Sequence, residues 1–172
     1  DDSTDSLTIG LGSALGTTTH MKIDAAGHIT KPLQPAFLAI ASSDQSNIAV
    51  GSSVAVVFGT ETFDQNADFT SNTFTAPVTG KYQFNVSVNL RNVDSAASYY
   101  RVALTTSNTT YYDIFDPDFG QDAGYWTMRV CVLADMDASD TAAINILQGS
   151  GTAQTDISGN AVYTFFSGYL VA

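Results

Sequence analysis

One ten-residue stretch, in which apolar and polar residues alternate without a break, constrains the fold more than any other feature. Between residues 81 and 90 every second position is apolar, namely Tyr82, Phe84, Val86, Val88 and Leu90. Successive side chains of a β-strand point to opposite faces of its sheet. The stretch therefore predicts a strand with one buried face and one more polar face.

Other segments also have the apolar content of strands, and no segment has the periodicity and capping residues of an amphipathic helix. The predicted strands are residues 36–40, 53–58, 60–63, 100–105, 126–132, 143–147 and 161–170. The inward-facing residues of the 126–132 strand are expected to be Trp126, Met128, Val130 and Val132. Many short strands separated by loops favour an all-β sandwich or jelly roll.

Charge and cysteine content narrow the possible functions. Six Lys and Arg stand against seventeen Asp and Glu, a net charge of −11. This acidity repels nucleic-acid backbones and anionic lipid surfaces, so we expect no nucleic-acid partner. No segment is long and apolar enough to span a bilayer, so we expect no membrane insertion. Cys131 is the only cysteine and lies in an apolar run, which predicts a buried structural thiol.

Residues 1–34 differ from the rest of the chain and are predicted to form a separate stalk or connector. They are rich in Gly, Ser, Thr and Asp, with short alternating stretches at 7–11 and 21–23 and a predicted turn at 25–27. Prolines at 32 and 35 mark the boundary to a second domain, residues 35–172. Since the first residue is not methionine, we expect a piece of a longer polypeptide.

This N-terminal segment resembles a known type of connector. The phrase Met21-x-Ile-Asp-x-x-Gly-x-Ile29, followed by Lys-Pro-Leu-Gln-Pro, is similar to the segment before the C-terminal heads of bacteriophage tail-fibre and other virion appendage proteins. The resemblance implies a location on the virion surface, on a tail or head fibre. The alternative is another extracellular location.

Residues 35–172 resemble the globular head of complement component 1q, a jelly roll related to tumour necrosis factor. The resemblance lies in an opening aromatic strand, a central phrase at 74–84 and a closing strand at 166–170. The motif residues are Phe37, Phe74, Pro77, Gly80, Tyr82, Phe84, Phe166, Gly168 and Leu170. We expect a tight turn with positive φ at Gly80. At Gly168 we expect a bulge or a close approach by a neighbouring backbone.

The resemblance implies a binding domain that assembles as a homotrimer, and not an enzyme. The sequence also offers no set of acid, base and nucleophile, since both histidines, His20 and His28, lie in the N-terminal segment. The function expected is a trimeric C-terminal head of a bacteriophage fibre or appendage that binds a host-surface glycan or protein receptor. Two alternatives remain: a trimerisation cap of the fibre without a receptor, and a secreted complement-1q-like adhesion or signalling ligand.

The acidic and aromatic segment at 108–123 is predicted to be a loop that carries the candidate site. Its carboxylates offer oxygen ligands for calcium, which some members of the family bind, although their spacing is not that of an EF-hand. These carboxylates are Asp113, Asp116, Asp118 and Asp122. Its aromatic residues either contact a receptor or pack on the sandwich. They are Tyr111, Tyr112, Phe115 and Phe119.

Overall fold

A computed structural model describes residues 6–12 and 18–172 of the chain. Over these residues the chain forms fifteen β-strands. The same residues contain no helix that is long and apolar enough to cross a membrane. The chain divides into two compact units, residues 1–34 and 35–172.

The N-terminal unit contains a three-stranded antiparallel sheet. Its strands are β1 (Leu7–Gly10), β2 (Thr19–Ile23) and β3 (Ile29–Thr30), in the order β1-β2-β3. In the turn between β2 and β3, Asp24 accepts hydrogen bonds from the backbone N–H groups of Ala26 and His28, both at 2.9 Å. Gly27 in this turn has a φ of 87°. All described side chains of this unit are exposed or half-buried, so the unit has no core within its described part.

The second unit is a sandwich of two six-stranded sheets, which we call sheet I and sheet II. The strands of sheet I are β4 (Ala36–Ile40), β6 (Thr60–Gln65), β9 (Gly80–Val93), β12 (Ala123–Met136), β14 (Asp156–Ile157) and β15 (Phe165–Leu170). The strands of sheet II are β5 (Val54–Ala55), β7 (Phe69–Thr70), β8 (Thr73–Thr75), β10 (Tyr100–Thr106), β11 (Thr110–Phe115) and β13 (Thr141–Gln148). Sheet I has the order β12-β9-β15-β4-β6, with β14 paired to β9. Sheet II has the order β11-β10-β13-β8-β7, with β5 paired to β13.

Strand β9 is the central element of sheet I. It pairs along its whole length with β12 and along its first half with β15. The five apolar residues of the alternating stretch are 0–1% exposed, which confirms the predicted inward face. On the outward face Ser87 and Asn89 are buried as well. Residues just before β15 cover them, because Ser87 donates a hydrogen bond to the Tyr163 carbonyl (2.7 Å) and the Asn89 N–H donates to the Thr164 hydroxyl (3.2 Å).

Aromatic rings dominate the core between the two sheets. Phe37 on β4 stacks on Phe69 and Phe74 of sheet II, with ring centroids 4.9 and 5.0 Å apart. The same ring meets Phe166 edge-on at 4.9 Å. Phe84 packs against both Phe74 and Phe166. These contacts join β4, β9 and β15 to sheet II through one continuous cluster of rings.

Gly168 lies on the core face of β15, where ring packing leaves no room for a side chain. A Cβ at this position would lie 2.6 Å from the Phe84 ring and 2.8 Å from the Phe37 ring. The close approach predicted for this glycine is therefore made by side chains, and the predicted neighbouring backbone is not among the nearest atoms.

Gly80 is constrained by packing rather than by backbone conformation, so the predicted positive φ is wrong. A Cβ on Gly80 would lie 2.6 Å from the Leu170 side chain and 2.7 Å from the Ala172 carbonyl oxygen. Beside it, the Lys81 N–H donates a hydrogen bond to Ala172 and the Val171 N–H donates back to Lys81, both at 2.7 Å. Glycine at position 80 thus lets the end of the chain lie directly against the start of β9.

Several strands differ from those predicted. The predicted strand at 53–58 is reduced to β5, and residues 161–163 form a turn before β15. Strands β7, β8, β11 and β14 were not predicted. Three of these have only two or three residues, too few to display a period of two. Strand β11 lies inside the segment that was predicted to be a loop.

A buried carboxylate holds the loops together at one end of the sandwich. Asp94 is 2% exposed and accepts hydrogen bonds from the backbone N–H groups of Ala96 (2.9 Å), Thr152 (2.5 Å) and Ala153 (2.8 Å). Its own N–H donates to the Tyr100 hydroxyl at 2.9 Å. Burial raises the pKa of Asp94, but these hydrogen bonds stabilise the charged form and bring the pKa below its ordinary value.

Replacing Gly168 with alanine is expected to lower the free energy of unfolding by about 1–3 kcal/mol, because the added Cβ displaces the Phe84 and Phe37 rings. Urea unfolding of both proteins measures this difference. Gly124→Ala on β12 is the matched control, since a Cβ there meets nothing within 4 Å. It should change stability by less than about 0.5 kcal/mol. Equal losses in both variants would contradict the ring-packing explanation.

Replacing Asp94 with asparagine is expected to lower the free energy of unfolding by about 2 kcal/mol at neutral pH, since an amide cannot accept all three backbone hydrogen bonds. Because the pKa is lower in the folded chain, the carboxylate stabilises the fold above about pH 4. That stabilisation is lost as the pH falls through the folded-state pKa. The difference between the wild type and the variant should therefore shrink on acidification. Urea titrations at a series of pH values measure this difference in the free energy of unfolding. A difference that stays constant with pH would show that the charge of Asp94 does not contribute to stability.

Candidate functional site

The outward face of sheet I has an apolar end formed where β12, β9, β15, β4 and β6 lie side by side. Antiparallel pairing places side chains in rows across this face, with Leu133 and Tyr169 on either side of Gln83. The next row runs Phe63, Leu38, Ser167, Asn85, Cys131. We define the apolar end as Leu38, Phe63, Cys131, Leu133 and Tyr169. Three of these large side chains, Phe63, Leu133 and Tyr169, are about half exposed, at 51%, 52% and 48%.

Cys131 is exposed at this apolar end, so the prediction of a buried thiol is wrong. Its neighbour Val130 is buried and Val132 is half-buried, because they occupy the alternate, inward positions of β12. The apolar run around Cys131 thus reflects two apolar faces of one strand. Exposed clusters of large apolar side chains are typical of surfaces that contact a partner.

The opposite end of the same face carries a polar cavity of about 530 Å³. It lies roughly 13 Å along β9 from the Asn85 row, given about 3.3 Å per strand residue. We call it the polar cavity, and its lining residues are Asp44, Asn89, Arg91, Tyr125, Thr127, Ser158, Asn160 and Tyr163. The side chain of Asn89 donates to the Thr127 hydroxyl at 2.8 Å at its floor.

One ion pair lies at the rim of the polar cavity. Arg91 donates a hydrogen bond to the carboxylate of Asp44, whose other oxygen accepts the Gly159 N–H at 2.7 Å. The Gly159 hydrogen bond and the Arg91 guanidinium together hold the pKa of Asp44 below its ordinary value, against a smaller effect of burial. Asp44 is therefore charged at neutral pH, and Arg91 balances that charge.

The predicted receptor-binding aromatics divide between surface and interior. Tyr112 on β11 is 54% exposed and lies under the Arg101 guanidinium, 4.8 Å from the ring centroid. Tyr111 and Phe115 point to the other side of β11 and pack against the core. Phe119 is 41% exposed in the connection that follows. The four residues therefore do not form one surface.

Trp126 joins this aromatic group, although no sequence motif connects it with residues 111–119. It stacks on Phe115 with centroids 4.7 Å apart and contacts Phe119 at 5.3 Å. Phe115 in turn stacks on the buried ring of Tyr100 at 5.2 Å. A shallow cavity of about 450 Å³ lies beside Phe119 and Trp126. Tyr125 lines both this cavity and the polar cavity.

The four predicted calcium ligands hold separate positions. Asp113 accepts a hydrogen bond from the Arg129 backbone N–H at 2.9 Å, which links β11 of sheet II to β12 of sheet I. Asp122 accepts both the N–H (2.9 Å) and the hydroxyl (2.8 Å) of Ser95. Asp116 and Asp118 are exposed. No three His, Cys, Asp or Glu side chains of the described residues are grouped to hold a metal ion. Calcium binding stays a prediction, and this arrangement does not favour it.

The polar cavity was not predicted from the sequence. Its residues come from four separate stretches, around Asp44, Asn89, Tyr125 and Asn160. No local motif joins them: strand pairing brings Asn89 and Thr127 together, and hydrogen bonds from β9 hold the loops that carry Asp44 and Tyr163. Only one sequence feature pointed to a residue of this cavity: the strict alternation of β9, which places Asn89 on the outward face.

Solved structures with the same fold were found, whereas no family model and no curated protein sequence matches the chain. The globular domain of zebrafish complement 1qA is 18% identical with a TM-score of 0.57, over 81% of this chain and 98% of that one. Crystal structures of murine APRIL at pH 8.5 and pH 8.0 are 10% and 11% identical, with TM-scores of 0.58 and 0.59. Both alignments cover 80% of this chain and 99% of the APRIL chain.

The chain thus has the jelly-roll fold of complement-1q globular domains and tumour-necrosis-factor-like proteins. This confirms the fold class predicted from the motif residues. The similarity of residues 21–37 to bacteriophage connectors stays a prediction.

Thermal unfolding with and without calcium tests the predicted metal site. If the four carboxylates bind calcium, a concentration one hundred times the dissociation constant adds about 2.7 kcal/mol of stability. This gain should disappear in a variant with Asp116→Asn and Asp118→Asn, and it should persist in the control Glu61→Gln. An unfolding temperature that calcium leaves unchanged would remove the site from consideration.

Proposed function

We propose that residues 35–172 are the homotrimeric recognition head of a virion fibre or appendage, from a bacteriophage, and that the head binds a host-surface receptor. The observation that carries this proposal is the apolar end of sheet I, in a jelly roll similar to the complement 1qA globular domain. The role is binding and not catalysis, in keeping with the fold. The place of action is the virion surface, outside the host cell.

Assembly of three copies would remove the side chains of the apolar end from water. Phe63, Leu133 and Tyr169 each leave about half of a large side chain in water in the single chain. Burying such surface against another copy is favourable in proportion to the apolar area removed from water. In a closed ring of three identical subunits, one patch of each subunit contacts a different patch of the next, so both patches are covered on every copy.

The N-terminal unit supports the fibre part of the proposal. Its described strands bury no side chain, so association with the same segment of other copies would add the burial that it lacks. The phrase at residues 21–29 is similar to connectors of virion appendages. A rigid trimer on such a stalk presents three equal sites, and simultaneous binding of several weak sites raises the overall affinity.

Light scattering of the full 172-residue chain tests the assembly. We expect three times the mass of one chain, and we expect Leu133→Asp to reduce it to the mass of a single chain, since burying an unpaired charge in the interface is unfavourable. Ile114→Asp is the matched control, because Ile114 is 58% exposed on the outward face of sheet II. It should leave the mass unchanged. A wild-type protein with the mass of one chain would overturn the proposed trimer.

Binding of the labelled trimer to a panel of bacterial strains tests the recognition role. We expect saturable binding to the host strain and competition with the virus for its surface. A trimer that binds no strain, while deletion of residues 35–172 prevents fibre assembly, would instead identify a trimerisation cap without a receptor.

A further inference from the structure

We propose that the polar cavity is a binding site for a neutral saccharide. This inference names the ligand class and the site for the recognition role proposed above, and it rests on that role. The cavity differs in place and in chemistry from the aromatic segment that the sequence singled out. Its volume of about 530 Å³ falls within the range of roughly 300–1,000 Å³ that is usual for small-molecule sites.

The floor of the cavity offers hydrogen-bonding groups that are already held in place. Asn89 is 6% exposed, and its amide nitrogen donates to the Thr127 hydroxyl at 2.8 Å. Within residues 6–12 and 18–172, no hydrogen bond takes up the amide oxygen of Asn89. Ser158 is 5% exposed and its hydroxyl accepts the Asn160 N–H at 3.3 Å, which leaves its proton to donate. A ligand with several hydroxyl groups can both donate to and accept from such a floor.

The charges of the cavity are balanced, which favours an uncharged ligand. Asp44 and Arg91 form an ion pair, and the Gly159 N–H occupies the second carboxylate oxygen. A carboxylated or sulphated ligand would have to compete with Asp44 for Arg91, in a chain whose net charge is −11. A basic ligand would compete with Arg91 for Asp44. Hydroxyl groups can instead share the outer lone pairs and N–H groups of the intact pair.

Two tyrosine rings supply the apolar surface that a sugar ring needs. Tyr125 is 70% exposed and Tyr163 is 52% exposed, and both line the cavity. No hydrogen bond among the described residues uses either hydroxyl group. The C–H groups on one face of a pyranose ring pack well on an aromatic ring, while its hydroxyl groups point to the polar groups around it. Aromatic side chains with a few fixed polar groups are the usual composition of small-molecule sites.

The shallow cavity beside Phe119 and Trp126 is less suited to a saccharide. Of the residues that line it, Asp122 already accepts two hydrogen bonds from Ser95. Trp126 is committed to stacking on Phe115. The polar cavity therefore has the better combination of available rings and unsatisfied polar atoms.

The test is binding of the full chain to an array of immobilised oligosaccharides, followed by titration of the neutral oligosaccharide that binds best. The array carries neutral chains of glucose, galactose, mannose and N-acetylglucosamine, together with sialylated and sulphated chains. We expect neutral chains to bind. We expect Tyr125→Ala to raise the dissociation constant about tenfold or more, which is the effect of removing one hot-spot side chain. Tyr125→Phe should restore most of the affinity, because it keeps the ring.

Two further variants make the result specific to the cavity. Thr127→Val removes the hydroxyl that pairs with Asn89 and should weaken binding severalfold while preserving the side-chain shape. Tyr112→Ala removes an exposed tyrosine of sheet II and should leave affinity unchanged. Equal affinity in the wild type and in Tyr125→Ala would place the site elsewhere and overturn the inference.

Measuring the molecular mass of the same samples distinguishes a failure of the saccharide site from a failure of the proposed trimer. A trimer that binds no neutral chain, or only sialylated or sulphated chains, overturns the saccharide site and leaves the trimeric head standing. A protein of single-chain mass that still binds neutral chains through Tyr125 supports the saccharide site and overturns the trimer.

Discussion

The sandwich depends on the packing of phenylalanine rings around one position that has no side chain. Phe37, Phe84 and Phe166 come from three neighbouring strands of sheet I, and Phe74 reaches them from sheet II. The rings can meet only because Gly168 leaves the space between them open. This cluster fixes the register of β4, β9 and β15, since a slip of one residue would turn every ring outward. The outward face of sheet I, with both of its candidate surfaces, therefore has its geometry set by the core.

The two ends of that outward face differ because different segments lie over them. Near residues 83–85 no segment of residues 35–172 covers the sheet, and large apolar side chains remain half exposed. Near Asn89 the segment that precedes β15 crosses the face and buries Ser87 and Asn89. The crossing forms one wall of the polar cavity. One face can thus serve association with other copies at one end and ligand binding at the other.

The sequence predicted the strands whose residues are numerous enough to show a period. The alternation at 81–90 predicted the inward face of β9 correctly, and the motif residues predicted the jelly roll. The prediction of a buried Cys131 was wrong because it relied on the apolar run, whereas the alternation that turns Val130 and Val132 inward places Cys131 on the outward face. Prediction from the sequence also failed for β11, whose polar and aromatic residues read as a loop, and for Gly80, whose constraint comes from Leu170 and Ala172 at the far end of the chain.

The sequence alone determined that the chain folds into strands and that its net charge is −11, and its resemblance to a known family predicted the jelly roll of residues 35–172. The strands follow from local periodicity, the charge from composition and the resemblance from the motif residues, all of which are present in the linear chain. Only the tertiary structure decided where a ligand site could lie. Four residues that are far apart in sequence line one cavity, namely Asp44, Asn89, Tyr125 and Tyr163. Strand pairing places Asn89 beside β12, and hydrogen bonds from β9 hold the loops that carry Asp44 and Tyr163. The tertiary structure also showed that the four acidic residues close in sequence do not share one site, since Asp113 and Asp122 form hydrogen bonds with different parts of the sandwich.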